Sequence, residues 1–189
     1  MTQGKMKRFV LAITGASGVV YAKRLFDYLQ PRAELHVVVS QRGAELLSIE
    51  LGLDTGYFAG GNAVVYKNTR INSPIASGSF PTDGMVVVPA SMGTIGRIAG
   101  GISGTLIERA ADVALKEKNK LILVPRETPF SAIHLKNMLA LDQAGAIIMP
   151  ASPGFYNKPE SVGDLVDFVV SRILNRLGVE HDLLPPYKP

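Results

Sequence analysis

Charged and hydroxyl-bearing residues gather where short apolar runs of this sequence end. Arg126-Glu127 follows the run Leu121 to Val124 and lies between Pro125 and Pro129, while Ser152 and Tyr156 follow the run Ala146 to Met149. Charge placed directly after a buried strand is costly unless each group is paired or faces a ligand. Arg126 could hold a phosphate through its planar fork, and Glu127 could move a proton. The competing reading is a mutual Arg126–Glu127 bridge that caps the following helix. The Tyr156 phenol offers a further phosphate donor or, alternatively, a packed loop aromatic. Arg109 and Lys116 share one predicted helix face, roughly 10 Å apart along its axis, so they reach one small anion only from different directions unless one serves a neighbouring subunit. The plainer alternative pairs Asp112 with Lys116 across one helical turn. Arg172 and Arg176, one turn apart on the last helix, could face ligand or solvent.

Near the amino terminus, Thr14-Gly15-Ala16-Ser17-Gly18 joins a strand to a helix, a turn that aims backbone amides at a phosphate with the Ser17 hydroxyl beside them. The same residues would also suit a tight turn with no ligand. The spacing is not the dinucleotide Gly-x-Gly-x-x-Gly pattern, and Val39-Ser40 stands where an acidic residue would hold a ribose, so a mononucleotide is favoured over NAD. His36, His134 and His181 lack ligand spacing and no Asp-rich repeat exists, so no metal is expected.

The elements that must position these groups alternate. Apolar runs Val10 to Thr14, Leu35 to Val39, Met85 to Val88 (ended by Pro89), Leu121 to Val124 and Ala146 to Met149 read as strands, with a short extra strand at Val64 to Tyr66. Helices are predicted at Tyr21 to Leu29, Arg42 to Leu51 (with Glu50 in its last turn and Ser40 as N-cap), Ser91 to Ala99, Thr105 to Glu117, Ser131 to Leu141 and Ser161 to Leu177. Alternating strand and helix implies an α/β fold, a single domain over residues 1–189 with a parallel sheet flanked by helices. Ligands of such sheets sit beyond the carboxyl ends of the strands, where the loops named above fall. Residues 1–6 are expected to be disordered, and residues 178–189, with Pro185, Pro186 and Pro189, to form an extended tail.

At 189 residues and 47% hydrophobic, the chain can bury one substantial core. A mean hydropathy of +0.19 without a wholly apolar stretch of spanning length points to subunit contacts and away from a membrane. The short apolar run after Lys5, Lys7 and Arg8 does not make a secretory signal, and the absence of Cys agrees with a cytoplasmic location. Net charge is +4, but basic residues are interspersed with acidic ones, so a small anionic ligand is favoured over nucleic acid.

Taken together, Thr14-Gly15-Ala16-Ser17-Gly18, Ala76-Ser77-Gly78-Ser79, Glu108-Arg109-Ala110-Ala111-Asp112-Val113, Pro125-Arg126-Glu127-Thr128-Pro129 and Pro153-Gly154-Phe155-Tyr156 resemble the UbiX-type flavin prenyltransferase family, from Lys7 to Tyr187. The resemblance implies a flavodoxin-like or Rossmann-like sheet and a homododecamer with sites between subunits. It also implies transfer of the dimethylallyl group of dimethylallyl monophosphate to N5 and C6 of reduced FMN, without metal, giving prenylated FMN for a partner UbiD-type decarboxylase. By the same resemblance, Gly15, Ala16, Ser17, Ser40, Ser91, Met92, Gly93, Thr94 and Arg126 would bind FMN. Lys116, Arg126, Tyr156 and Arg172 would hold the prenyl phosphate, and Glu127, Ser17, Glu50 and Arg109 match catalytic positions. Relatives often carry Asp-Asn-Leu before the Glu-Arg helix and Trp near the carboxyl terminus. This chain has Gly104-Thr105-Leu106 and Tyr187, departures that bear on substrate affinity and tail closure. The alternatives are a flavoprotein decarboxylase, disfavoured by the lack of Cys, and an FMN-binding accessory subunit.

Overall fold

The computed structural model describes residues 6–184, so Tyr187, the tail prolines and residues 1–5 lie outside the described residues. Six strands pair in parallel in the order β3-β2-β1-β4-β5-β6. They are β1 (Arg8–Ile13), β2 (Glu34–Val39), β3 (Ala63–Lys67), β4 (Gly84–Ala90), β5 (Leu121–Pro125) and β6 (Ile147–Ile148). Sequence order reverses direction between β1 and β4, which opens a crevice at their carboxyl ends. Central strands such as Leu35-His36-Val37-Val38-Val39 read as nearly continuous apolar runs because both sheet faces are covered.

Six helices cover the sheet: α1 (Val19–Leu29), α2 (Gln41–Leu51), α3 (Met92–Ala99), α4 (Leu106–Lys116), α5 (Ala132–Gln143) and α6 (Val162–Leu177). Two cores result. On one face, Val19, Ala22, Leu25 and Leu29 of α1 and Val169, Val170, Ile173 and Leu174 of α6 pack on Phe9, Leu11 and Ile13. On the other, Ile95, Leu106, Ala110, Ala111 and Met138 from α3, α4 and α5 pack on Val10, Ala12, Met85 and Val87. Capping boxes start α4 (Thr105 with Glu108), α5 (Ser131 with His134) and α6 (Ser161 with Asp164). Left-handed Gly52 and Gly178 end α2 and α6.

The predicted strand at Met85 to Val88 is too short. β4 continues through Pro89 to Ala90, with a register irregularity between Val87 and Ala90. A proline lacks the amide a strand donates, and here a side chain outside the strand binds the Pro89 carbonyl and the Ser91 amide, as described below. The long segment after β3 is not featureless: Asn68 accepts the amides of Leu106 and Ile107 at the start of α4, and Pro74–Ala76 form a helical turn against it. No helix among the described residues is long and apolar enough to cross a membrane.

Candidate functional site

Four loops at the carboxyl edge of the sheet define the crevice. Gly15 lies so close to α2 that a Cβ there would collide with Arg42 Cβ, and a Cβ on Gly43 would sit 2.7 Å from the Ile13 carbonyl oxygen. These two glycines therefore set how near α2 comes to the end of β1. Ser40 caps α2 by accepting the Gly43 amide, which leaves its hydroxyl proton for an outside acceptor. Ser91 caps α3, accepting the Thr94 amide with the Thr94 hydroxyl 3.0 Å away. Both helices thus open their amino termini onto the switch point, with Met92 buried and Gly93 exposed in the first turn of α3.

The glycine turn itself differs from expectation. Its amides at the start of α1 are not free: the Glu50 carboxylate accepts Gly18 N–H at 3.0 Å and Val19 N–H at 3.2 Å. Gly18 sits in the left-handed region at φ 104° and supplies no side-chain cap, so Glu50, 32 residues away, caps α1 in its place. A ligand phosphate must then look to α2, α3 and the side chains. Ser17 is exposed and its carbonyl accepts Arg126 Nε at 3.0 Å. This bond ties the loop after β5 to the turn after β1.

Arg126 therefore points into the crevice and does not bridge to Glu127. Glu127 is exposed and accepts the Thr128 amide at 3.0 Å, while Ser131 caps α5. The bridge-and-cap alternative is not what the structure adopts. Beside Arg126, the chain after β6 continues along β5, with Ala151 N–H donated to Pro125 O at 2.9 Å. Next to it opens a cavity of about 430 Å³ lined by Met149, Ser152, Tyr156, Phe168, Arg172 and Arg176. The Tyr156 ring meets Phe168 edge-on at 5.7 Å, and Gly154 lets both rings approach. Arg172 is exposed on its helix yet lines this cavity.

Arg109 and Lys116 are not brought to this place. Arg109 donates to Ala76 O at 3.3 Å and pairs with Asp112 at 2.9 Å, so Asp112 pairs with Arg109 and not with Lys116. Lys116 ends α4 and pairs with Glu117 at 3.0 Å. It stands five residues before β5 begins, at the amino edge of the sheet and opposite the crevice.

Two residues not singled out for the site support it. Thr14 bonds both to Pro89 and to Ser91. Glu108 is buried and binds the Arg97 guanidinium together with the amides of Gly104 and Thr105. Burial alone would raise the Glu108 carboxyl, but the hydrogen bond and charge of Arg97 and those two amides outweigh it and hold it below the usual carboxylate value. The Thr105-x-x-Glu108 spacing could have disclosed the capping role; nothing local pairs Glu108 with Arg97.

A parallel sheet in this strand order, with helix termini, hydroxyls and an arginine around its switch point, defines a nucleotide-binding α/β protein. The flavoprotein family model matches residues 2–174. A Methanocaldococcus jannaschii protein named flavin prenyltransferase UbiX is 48% identical over 176 residues, covering 93% of this chain and 96% of that relative. Among solved structures, AnUbiX (PadA1) in complex with FMN and dimethylallyl pyrophosphate superposes with a TM-score of 0.95 at 37% identity, covering 98% of this chain and 99% of the other. A dodecameric FMN-dependent UbiX-like decarboxylase from Escherichia coli O157:H7 gives a TM-score of 0.93 at 40% identity, covering 96% and 100%. The chain belongs to the flavoprotein family and, within it, to the UbiX-type flavin prenyltransferases.

Proposed function

We propose that this chain, as one FMN-binding domain, joins the dimethylallyl group of dimethylallyl monophosphate to reduced FMN. The observation that carries the reading is adjacency. Arg126 bonds to the switch-point turn, and Pro125 just before it accepts the amide of Ala151, which lies between Pro150 and Ser152 of the Tyr156–Arg172 cavity, so the loop after β5 joins the nucleotide crevice to the loop that lines that cavity. The residues fit FMN: the free hydroxyl proton of Ser40, the Ser91–Thr94 turn and Arg126 suit its phosphate and polar edge. When bound, reduced FMN supplies the nucleophilic N5 and C6 positions. Tyr156, Arg172 and Arg126 stabilise negative charge developing on the departing phosphate, and Glu127, next to Arg126 in the loop after β5, transfers a proton. Glu50 holds the start of α1, and with it Ser17, in place.

Glu127 is exposed in a single chain, whereas an allylic cation needs a site closed to water. The α5 helix beside it exposes Ile133 (69%), Leu135 (54%) and Leu139 (56%). A homo-oligomer, taken here as a dodecamer like the E. coli relative, would cover those side chains, close the crevice and bring Arg109 and Lys116 of one copy to the site of another. The product would serve a UbiD-type decarboxylase, and the protein would act in the cytoplasm. The E. coli relative's name says decarboxylase; in this chain decarboxylation through thiol oxidation would lack a cysteine.

The test is anaerobic incubation of the protein with reduced FMN and dimethylallyl monophosphate, in parallel with the diphosphate carried by the AnUbiX complex. Mass spectrometry should find flavin enlarged by one five-carbon unit, and Glu127→Gln should retain FMN while losing about 100-fold or more in turnover. FMN binding with no adduct and no phosphate release would leave the accessory-subunit reading instead.

A further inference from the structure

Among the described residues, few buried side chains are polar, and Thr14 is one of them at 1% exposure. It follows β1 immediately, at the switch point. The β1–β4 ladder ends at Ala12 and Val87, and two residues further on β4 carries Pro89, which has no amide to donate. Thr14 fills the interval. Its own N–H donates to Pro89 O at 3.2 Å, its hydroxyl donates to the same oxygen at 2.8 Å, and that hydroxyl accepts Ser91 N–H at 2.8 Å.

One hydroxyl thus fixes the distance between the two loops on either side of the crevice. Ser91 is the residue whose side chain caps α3 and faces Thr94. Its backbone position is set from Thr14, one residue before Gly15. Valine would fill the same volume but leave the half-buried Ser91 amide without its acceptor and would remove one of the two bonds to Pro89 O. Serine would keep both.

We propose that Thr14 is a positioning residue for FMN: through its hydroxyl it holds the Ser91–Thr94 turn at the spacing from the glycine turn that the flavin nucleotide needs. Thr14 itself does not touch the ligand. The inference rests on the FMN reading above.

The experiment measures FMN affinity by fluorescence quenching for the wild-type protein, Thr14→Val and Thr14→Ser, each checked for folding by circular dichroism. Wild-type protein that binds no FMN would overturn the FMN reading itself and the inference with it. Given wild-type binding, folded Thr14→Val should bind FMN about 10- to 100-fold more weakly, with Thr14→Ser within about threefold of wild type. In turnover, the loss in Thr14→Val should appear in KM for FMN more than in kcat. Equal FMN affinity in folded Thr14→Val would overturn the inference. So would Thr14→Ser binding as weakly as Thr14→Val, since the methyl group and not the hydroxyl would then matter. Should Thr14→Val fail to fold, Thr14→Ala takes its place in the same comparison, and failure of both to fold while Thr14→Ser binds FMN weakly also counts against it.

Discussion

Glu108 allows the most direct check of how the crevice is supported. Its carboxylate is 2% exposed and divides its bonds: one oxygen takes the Arg97 guanidinium from α3, the other takes Gly104 N–H at 2.9 Å and Thr105 N–H at 3.0 Å. In Glu108→Gln the amide oxygen can keep the two backbone donors, as glutamine does in capping boxes. Its NH2 group must then face Arg97, donor against donor. One charge-assisted bond is lost, worth about 1.5–3 kcal/mol. Arg97 is 49% exposed, so solvent screening draws the figure toward about 2 kcal/mol. For a chain of this size that is a fall in Tm of about 4–8 °C. The dependence on pH has a definite sign. The folded Glu108 carboxyl is held below its usual value, so the ionic contribution is complete above the ordinary carboxylate value of about 4.3 and disappears as pH falls through the lower folded value. Differential scanning of FMN-free protein at fixed concentration should therefore show a gap between wild type and Glu108→Gln that is largest at neutral pH and narrows below about pH 4. A gap under about 1 °C at pH 7, or one that persists unchanged into acid, would refute the reasoning.

Two further outcomes follow from the site and the exposed helix. Arg172→Ala should raise KM for the allylic phosphate by about 10- to 100-fold while leaving FMN affinity as in wild type, read from steady-state kinetics and flavin titration; a KM within twofold would remove Arg172 from the phosphate cavity. Leu135→Glu combined with Leu139→Glu places charge on the apolar face of α5 and should yield a smaller species in sedimentation velocity, whereas an unchanged assembly would put the subunit contact elsewhere.

Local pattern carried most of the architecture. Runs such as Val86-Val87-Val88 and Leu121-Ile122-Leu123-Val124 have the length and apolar content of strands buried on both faces, and Ser40, Ser91, Ser131 and Ser161 mark helix starts that the structure adopts. What escaped depends on partners far apart in sequence. Pro89 ends a strand by local rules, yet β4 runs through it, and Thr14, 75 residues away, anchors the carbonyl that proline retains and the Ser91 amide beyond it. The glycine turn reads locally as an open phosphate cradle, but Glu50 reaches back and fills the amides of Gly18 and Val19. Arg126-Glu127 reads as a possible pair by adjacency, and separates because Ser17 O and Thr128 N–H offer each group another partner.

Arg126 and Lys116, both proposed above as prenyl-phosphate ligands, are delivered differently by the single chain. For Arg126 the single chain suffices, since the end of β5 delivers it to the crevice and the Ser17 carbonyl keeps it there. For Lys116 it does not: α4 must run against the strands for β5 to enter the sheet in parallel, so its last residue falls at the amino edge. No side-chain rotation spans that distance, because β5 alone is about 16 Å long and a lysine reaches less than half of it. If Lys116 touches the departing phosphate, it touches that of another copy. The exposed α5 apolar face and the uncovered Glu127 call for such a neighbour on separate grounds.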